Sequence, residues 1–204
     1  MAIKDEQMGA PWTQWPLPLR TRNGKALAKK RKELHEEVDY YIFLQMIFFE
    51  QWKQLSKYAK EQGVSIIGDI PIYVAMDSAD TWANPELFQL DAQCRPTAVA
   101  GCPPDAFTAD GQLWGNPLYR WDVMARDGYQ WWLDRIRASL ELFDAVRIDH
   151  FRGFESYYAI PYGEVTARNG KWVKGPGKGL IAAIKQSFPN VQIIAEDLGF
   201  LTQE

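Results

Sequence analysis

The stretch Asp144-Ala-Val-Arg-Ile-Asp-His150 decides the fold. Residues i and i+2 of a strand share a face, so a strand here turns Arg147 and Asp149 to the same side. A helix is predicted just before it over residues 125–143, with Tyr129, Trp132, Leu133, Ile136, Leu140 and Phe143 as its inward stripe. Helix followed by strand recurs twice more. Residues 29–62 repeat Leu34, Val38, Ile42, Phe48, Trp52, Leu55 and Ala59 at helical spacings and stop at Gly63, before the run Val64-Ser-Ile-Ile-Gly-Asp69. A Gly/Pro-bearing loop over 171–179 leads to a helix over 180–188 and then to Val191-Gln-Ile-Ile-Ala-Glu196. Each strand ends in a carboxylate.

Such alternation predicts an α/β fold with parallel pairing and right-handed crossovers. A partial (β/α)8 TIM barrel containing about three barrel strands is the leading architecture, and a doubly wound sheet is the runner-up. A whole barrel takes about 250 residues, and Thr202 would cap a further helix at the end of this 204-residue chain. Residues 1–204 are therefore expected to be part of one catalytic barrel domain, an internal piece of a longer enzyme. Residues 76–125, rich in Pro, Gly, Asp and Asn, read as a loop-rich insertion contributing to a ligand site. The first 24 residues read as an irregular surface segment.

With 47% apolar and 24% charged residues, the chain can build a core, which excludes a disordered tail, a collagen-like rod or a disulfide miniprotein. A net charge of −3 argues against a nucleic-acid partner. No secretory signal is visible at the amino end. The longest apolar stretch, 40–49, is broken by Gln45 and is half of the roughly 20 residues a membrane span needs. Cys94 and Cys102 have no neighbouring His, so no metal site is expected; reduced thiols in a cytoplasmic enzyme are expected, with a disulfide between them left open. Nine Trp, nine Tyr and ten Phe are more rings than a core of this size calls for, and point to a ligand.

Asp69, Asp149 and Glu196 stand where reacting groups gather in barrels and open α/β sheets, although carboxylates at strand ends also cap the following helix. Arg147 beside Asp149 would keep it ionised, as a nucleophile requires, or would simply form a structural ion pair. Neighbouring strands lie about 4.8 Å apart, and carboxyls about 5–5.5 Å apart suit a retaining displacement, one attacking and the other moving the proton. Trp52, Trp131, Trp132 and the 40–49 cluster read as core. Trp82, Phe107, Trp114, Tyr119 and Trp121 lie in the insertion without periodicity, and Trp114 and Phe107 are the better sugar platforms among them. Gly170-x4-Gly175 is followed by Pro176 rather than Lys, and Gly175-Pro-Gly177-Lys-Gly179 follows no predicted strand, so neither is a nucleotide motif. His35 reads as a solvated helix residue, and His150 as a neighbour of Asp149 on the alternate face. A Mg-dependent barrel lyase and a non-catalytic glucan binder are rival readings; Arg147 in the same mouth opposes the lyase.

Several words of the chain resemble the 4-α-glucanotransferase family, the amylomaltases and disproportionating enzymes of the α-amylase superfamily. They are Gly68-Asp-Ile-Pro-Ile-Tyr-Val-Ala75, Asp77-Ser-Ala-Asp80, Val99-Ala-Gly-Cys-Pro-Pro-Asp105, Gly111-Gln-Leu-Trp-Gly-Asn-Pro-Leu-Tyr119, Arg147-Ile-Asp-His-Phe-Arg-Gly153 and Ala195-Glu-Asp-Leu-Gly199. The resemblance runs from about residue 10 to the end. It implies an interrupted (β/α)8 barrel that transfers α-1,4-glucan segments to glucose or maltooligosaccharides, in starch, glycogen or maltose metabolism, without a cofactor. An α-glucan hydrolase of the same superfamily is the alternative. By the resemblance Asp149 is the nucleophile and Glu196 the acid/base, Asp69 and Arg147 are supporting active-site residues, and Trp114 and Asp197 lie near bound glucan. Ala106 stands where relatives often carry Tyr, so one acceptor contact is expected to be missing. The family's third carboxylate would lie beyond Glu204, and the first barrel strands before residue 1. The implied partners are α-1,4-glucans and the remaining portion of a full-length enzyme, in the cytoplasm or, for a plant chain, the plastid. The 204-residue chain alone is expected to be inactive and poorly folded.

Overall fold

The computed structural model describes residues 1–196. In chain order these form α1 (Ala2–Glu6), α2 (Leu17–Arg20), α3 (Gly24–Glu33), α4 (His35–Glu61), β1 (Ile67–Pro71), α5 (Ala79–Ala83), β2 (Ala98–Cys102) and β3 (Gln112–Pro117). There follow α6 (Trp121–Met124), α7 (Gln130–Leu140), β4 (Ala145–Asp149), β5 (Ser156–Pro161), β6 (Lys171–Lys174), α8 (Lys178–Ser187) and β7 (Ile193–Ala195).

The three predicted strands are β1, β4 and β7, and they pair in parallel in sequence order. That order contains no reversal, as in a sector of barrel wall and unlike the switch point of a doubly wound sheet. Asp69 pairs with Arg147, Pro71 with Asp149, and Ile148 with Ala195. Side chains alternate across β4: Val146 and Ile148 are fully buried in the core that holds Trp132 and Ile136 of α7, while Arg147 and Asp149 face the other way. Phe143 fixes how closely α7's exit approaches β1. A Cβ on Gly68 would lie 2.0 Å from the Phe143 ring, so only glycine fits.

Several expectations need correction. The helix predicted over 29–62 is two helices, because Leu34 leaves helical geometry at φ −108°, ψ 32°. Through Ala26 and Leu27, α3 packs on a cluster of Trp12, Trp15 and Leu19, whereas α4 continues alone past α1. No residue of α4 is buried, so the rings of 40–49 are surface in this chain rather than core. Trp52 is half-buried, its indole N–H donating to Leu142 O at 2.8 Å and its edge meeting Phe143. The predicted 125–143 helix begins only at Gln130, after Gly128 and Tyr129 take left-handed conformations.

Residues 76–125 are not open loop. β2 and β3 join β5 and β6, the latter within the expected 171–179 loop, in an antiparallel sheet of order β3-β2-β5-β6. The word Gly175-Pro-Gly177-Lys-Gly179 therefore does follow a strand and opens α8. The amino end is likewise built rather than irregular. Trp12 Nε1–H donates to Met76 O at 2.7 Å, and Trp82 Nε1–H to Leu19 O at 2.9 Å, clasping the segment that follows β1. Cys94 and Cys102 are separate free thiols. The predicted cap at Thr202 lies outside the described residues.

Candidate active site

Asp69, Arg147, Asp149 and Glu196 meet on one face of the parallel sheet. Register is the cause: Asp69 and Arg147 are paired residues on adjacent strands, and Asp149 lies one same-face step further along β4. Glu196 follows β7, and its main chain continues the ladder to β4, donating to Ile148 O at 3.1 Å and accepting from Phe151 N–H at 3.2 Å. Asp69 is thus in the middle of its strand rather than at its end, level with Arg147.

Arg147 binds all three carboxylates. Its Nη1 donates to both Asp69 oxygens at 2.7 Å each. Its Nη2 lies 3.2 Å from Asp149 Oδ1 and 2.5 Å from Glu196 Oε1. Two carboxylates sharing one guanidinium nitrogen face each other across a few ångströms. Bonding to Asp69, and the charge of Glu196, hold the Arg147 guanidinium firmly protonated. The cation of this cluster is a side chain, which leaves the lyase reading without support.

The proton distribution departs from expectation. Arg147 beside Asp149 is expected to keep it ionised; here Asp149 is raised and Glu196 lowered. The direct hydrogen bond between the carboxyls acts first on each, raising Asp149 and lowering Glu196. Glu196 then gains a backbone donor, His150 N–H at 2.8 Å on Oε2, as well as Arg147. Donors directed at one member of a coupled pair leave the shared proton on the other. Glu196 is also the more enclosed, its side chain 15% exposed against 44% for Asp149.

His150 contributes its main chain, a role the sequence reading missed. Its backbone is left-handed, φ 51°, ψ 45°, which turns its N–H back towards Glu196. The conformation is uncommon outside glycine and costs about 1–3 kcal/mol unless its surroundings enforce it. The ring stands edge-on to Trp114 with centroids 4.9 Å apart, and burial pushes its pKa down. An Asp at a strand end followed by a residue that must turn the chain was the available signal.

The insertion aromatics separate. Trp114, at 36% exposure, stands beside His150 and Tyr73, with its indole N–H donating to Gln112 Oε1 at 2.9 Å. Phe107 is 99% exposed on a turn held by Asp105, whose Oδ1 accepts from the N–H groups of Phe107 and Thr108 at 2.8 Å. The other three are not platforms. Tyr119 is fully buried, Trp121 packs against Trp132 and Phe154, and Trp82 packs edge-on against Trp15. Their polar tips or ring edges have partners inside the protein, which sequence spacing does not reveal. Asp197 lies outside the described residues.

Comparison with known proteins places this geometry in a family. The family model described as 4-alpha-glucanotransferase matches residues 1–204. A 4-alpha-glucanotransferase of Thermus thermophilus is 53% identical over 204 residues, covering 100% of this chain and 41% of that protein. One from Streptococcus pneumoniae is 52% identical over 205 residues, with the same shares covered. Among solved structures, the amylomaltase from Streptococcus agalactiae in complex with acarbose superposes with a TM-score of 0.96 at 42% identity, over 100% of this chain and 41% of that one. The chain thus spans about two fifths of the length of these relatives.

Proposed function

The chain belongs to the 4-alpha-glucanotransferase family, and from that membership we propose that it carries the nucleophile and the acid/base of a retaining transfer of α-1,4-glucan segments to glucose or maltooligosaccharide acceptors. The observation that carries the reading is the single Arg147 guanidinium joining Asp69, Asp149 and Glu196. In this reading Asp149 attacks the anomeric carbon as Glu196 protonates the departing oxygen. Glu196 then takes the proton of the incoming sugar hydroxyl, and C1 returns to the α-configuration. Asp69 anchors Arg147, while Trp114 and Phe107 offer flat faces to sugar rings; the resemblance assigns Asp197, outside the described residues, a glucan contact.

The unliganded proton distribution is reconciled by the substrate. A sugar C1 entering between the carboxyls separates them and removes the hydrogen bond that keeps the proton on Asp149. For Glu196 then to carry the proton that the leaving oxygen needs, its donors His150 N–H and Arg147 must give way as the sugar binds. No helix among the described residues is long and apolar enough to cross a membrane. A cytoplasmic enzyme of glucan metabolism, with reduced Cys94 and Cys102, is the setting we propose.

The test is covalent trapping in the protein at its full natural length. A fluorinated glycosyl donor should add one glucosyl unit to the peptide containing Asp149, and Asp149→Asn should leave that peptide unlabelled in mass spectra. Undiminished labelling of the variant means that another residue is the nucleophile.

A further inference from the structure

Outside the carboxylate cluster, Arg135 is held by backbone carbonyls and aromatic rings. Arg135 of α7 is half-buried, and its guanidinium lies 5.4 Å from the Trp131 ring centroid and 5.0 Å from that of Trp132. Its fork is aimed at the chain leaving β1: Nη2 donates to Pro71 O at 2.7 Å, and Nη1 lies 3.4 Å from Ile72 O and 3.5 Å from the Tyr119 hydroxyl. Tyr119 O–H donates to the same Ile72 carbonyl at 2.7 Å. These two carbonyls stand at the end of the strand that bears Asp69. Ile72 is buried, and a buried carbonyl without a donor costs about 1–3 kcal/mol; Tyr119 and Arg135 supply its donors, and Arg135 also holds the exposed Pro71 carbonyl.

The turn leads directly to the sugar-facing wall. Tyr73, the next residue, stacks on Tyr119 with centroids 5.9 Å apart and lies 6.3 Å from Trp114. Asn116, two residues after Trp114 on β3, donates through Nδ2 to Val74 O at 3.0 Å. Trp114 in turn meets His150, whose N–H holds Glu196. Every link in this series is a contact or a hydrogen bond.

We propose that Arg135, with Tyr119, is a positioning residue that clamps the end of β1 and thereby sets the Tyr73–Trp114 wall against the carboxylate pair. Its catalytic consequence rests on the glucan-transfer reading; its structural part does not. Lysine keeps the charge but has no fork to span two carbonyls, so Arg135→Lys separates clamping from electrostatics. Tyr119→Phe removes a single hydroxyl and keeps the ring.

Both variants are to be made in the protein at its full natural length, labelled with fluorotryptophan, the Trp114 resonance being assigned with Trp114→Phe. The clamp predicts that Arg135→Lys moves the Trp114 resonance without substrate. It also predicts that kcat/KM for maltooligosaccharide falls by up to about a hundredfold, the loss that a displacement of about 1 Å can cause. Tyr119→Phe should move the same resonance by less, and it carries the test if Arg135→Lys does not fold. A lowered melting temperature with the Trp114 resonance unmoved, or an unchanged kcat/KM, overturns the proposal. Absence of transfer by the wild type refutes the glucan reading instead, and the resonance alone then decides the clamp.

Discussion

At the scale of single residues, Arg147 does for this site what a metal ion does elsewhere, holding three carboxylates together by donating to each. The coupled pair it binds has a pH signature. Asp149 is raised on folding, so its stabilising contribution holds at low pH and is lost as pH rises through its folded value. Glu196 is lowered, so its contribution is present above the ordinary carboxylate range and lost as pH falls through its folded value. Above the folded value of Asp149, two ionised carboxylates confront each other. Asp149→Asn should raise the melting temperature at pH 7, and the gain should shrink as pH is lowered through the Asp149 transition. A variant that melts lower than wild type at pH 7 would contradict this account. Active sites commonly hold such unrelieved repulsion because the chemistry uses it.

At the scale of elements, the site depends on how closely β1 approaches the end of α7, and Gly68 sets that distance. Its missing Cβ is the space occupied by the Phe143 ring. Gly68→Ala should destabilise by about 1–3 kcal/mol through overpacking, read from denaturant midpoints at constant slope. Adding Phe143→Leu should recover part of the loss. Full stability in Gly68→Ala would mean that the ring moves freely, and that β1 is not placed by it. The α4 helix is the contrasting element. Its pattern is helical and its helix forms, yet among the described residues its apolar positions gain only partial cover, chiefly at Trp52 against Leu142 and Phe143, and none is buried.

At the scale of the whole molecule, the described residues form two sheets and one long helix whose apolar surface is exposed. Tyr40, Ile42, Phe43, Leu44, Met46, Ile47, Phe48 and Phe49 are all exposed, the kind of contiguous patch that marks an interaction surface. The 204-residue chain should therefore bind a hydrophobic dye and self-associate with rising concentration. Phe43→Gln with Met46→Gln should weaken both while changing stability by no more than about 0.5 kcal/mol per site, as for surface substitutions. Dye fluorescence, sedimentation and melting measure the three effects. A large loss of stability would show that the two side chains are buried in solution.

The three parallel strands, their order and their carboxylates were legible in the sequence because each depends on local rules: alternation along a strand, helical spacing before it, and a fixed distance between neighbours. Asp149 and Glu196 could be paired on paper because parallel register converts sequence position into lateral position. The second sheet was not legible, since β2 and β3 are punctuated by Gly and Pro and β2 pairs on its other side with β5, more than fifty residues on. Nor could spacing sort the insertion's rings, because whether an aromatic side chain is core or platform depends on what packs over it. The proton's position was decided by tertiary contacts alone. A left-handed turn at His150 and a guanidinium on Arg147 direct their donors to Glu196, and hydrogen-bond direction is a property of three-dimensional placement that composition and periodicity do not contain.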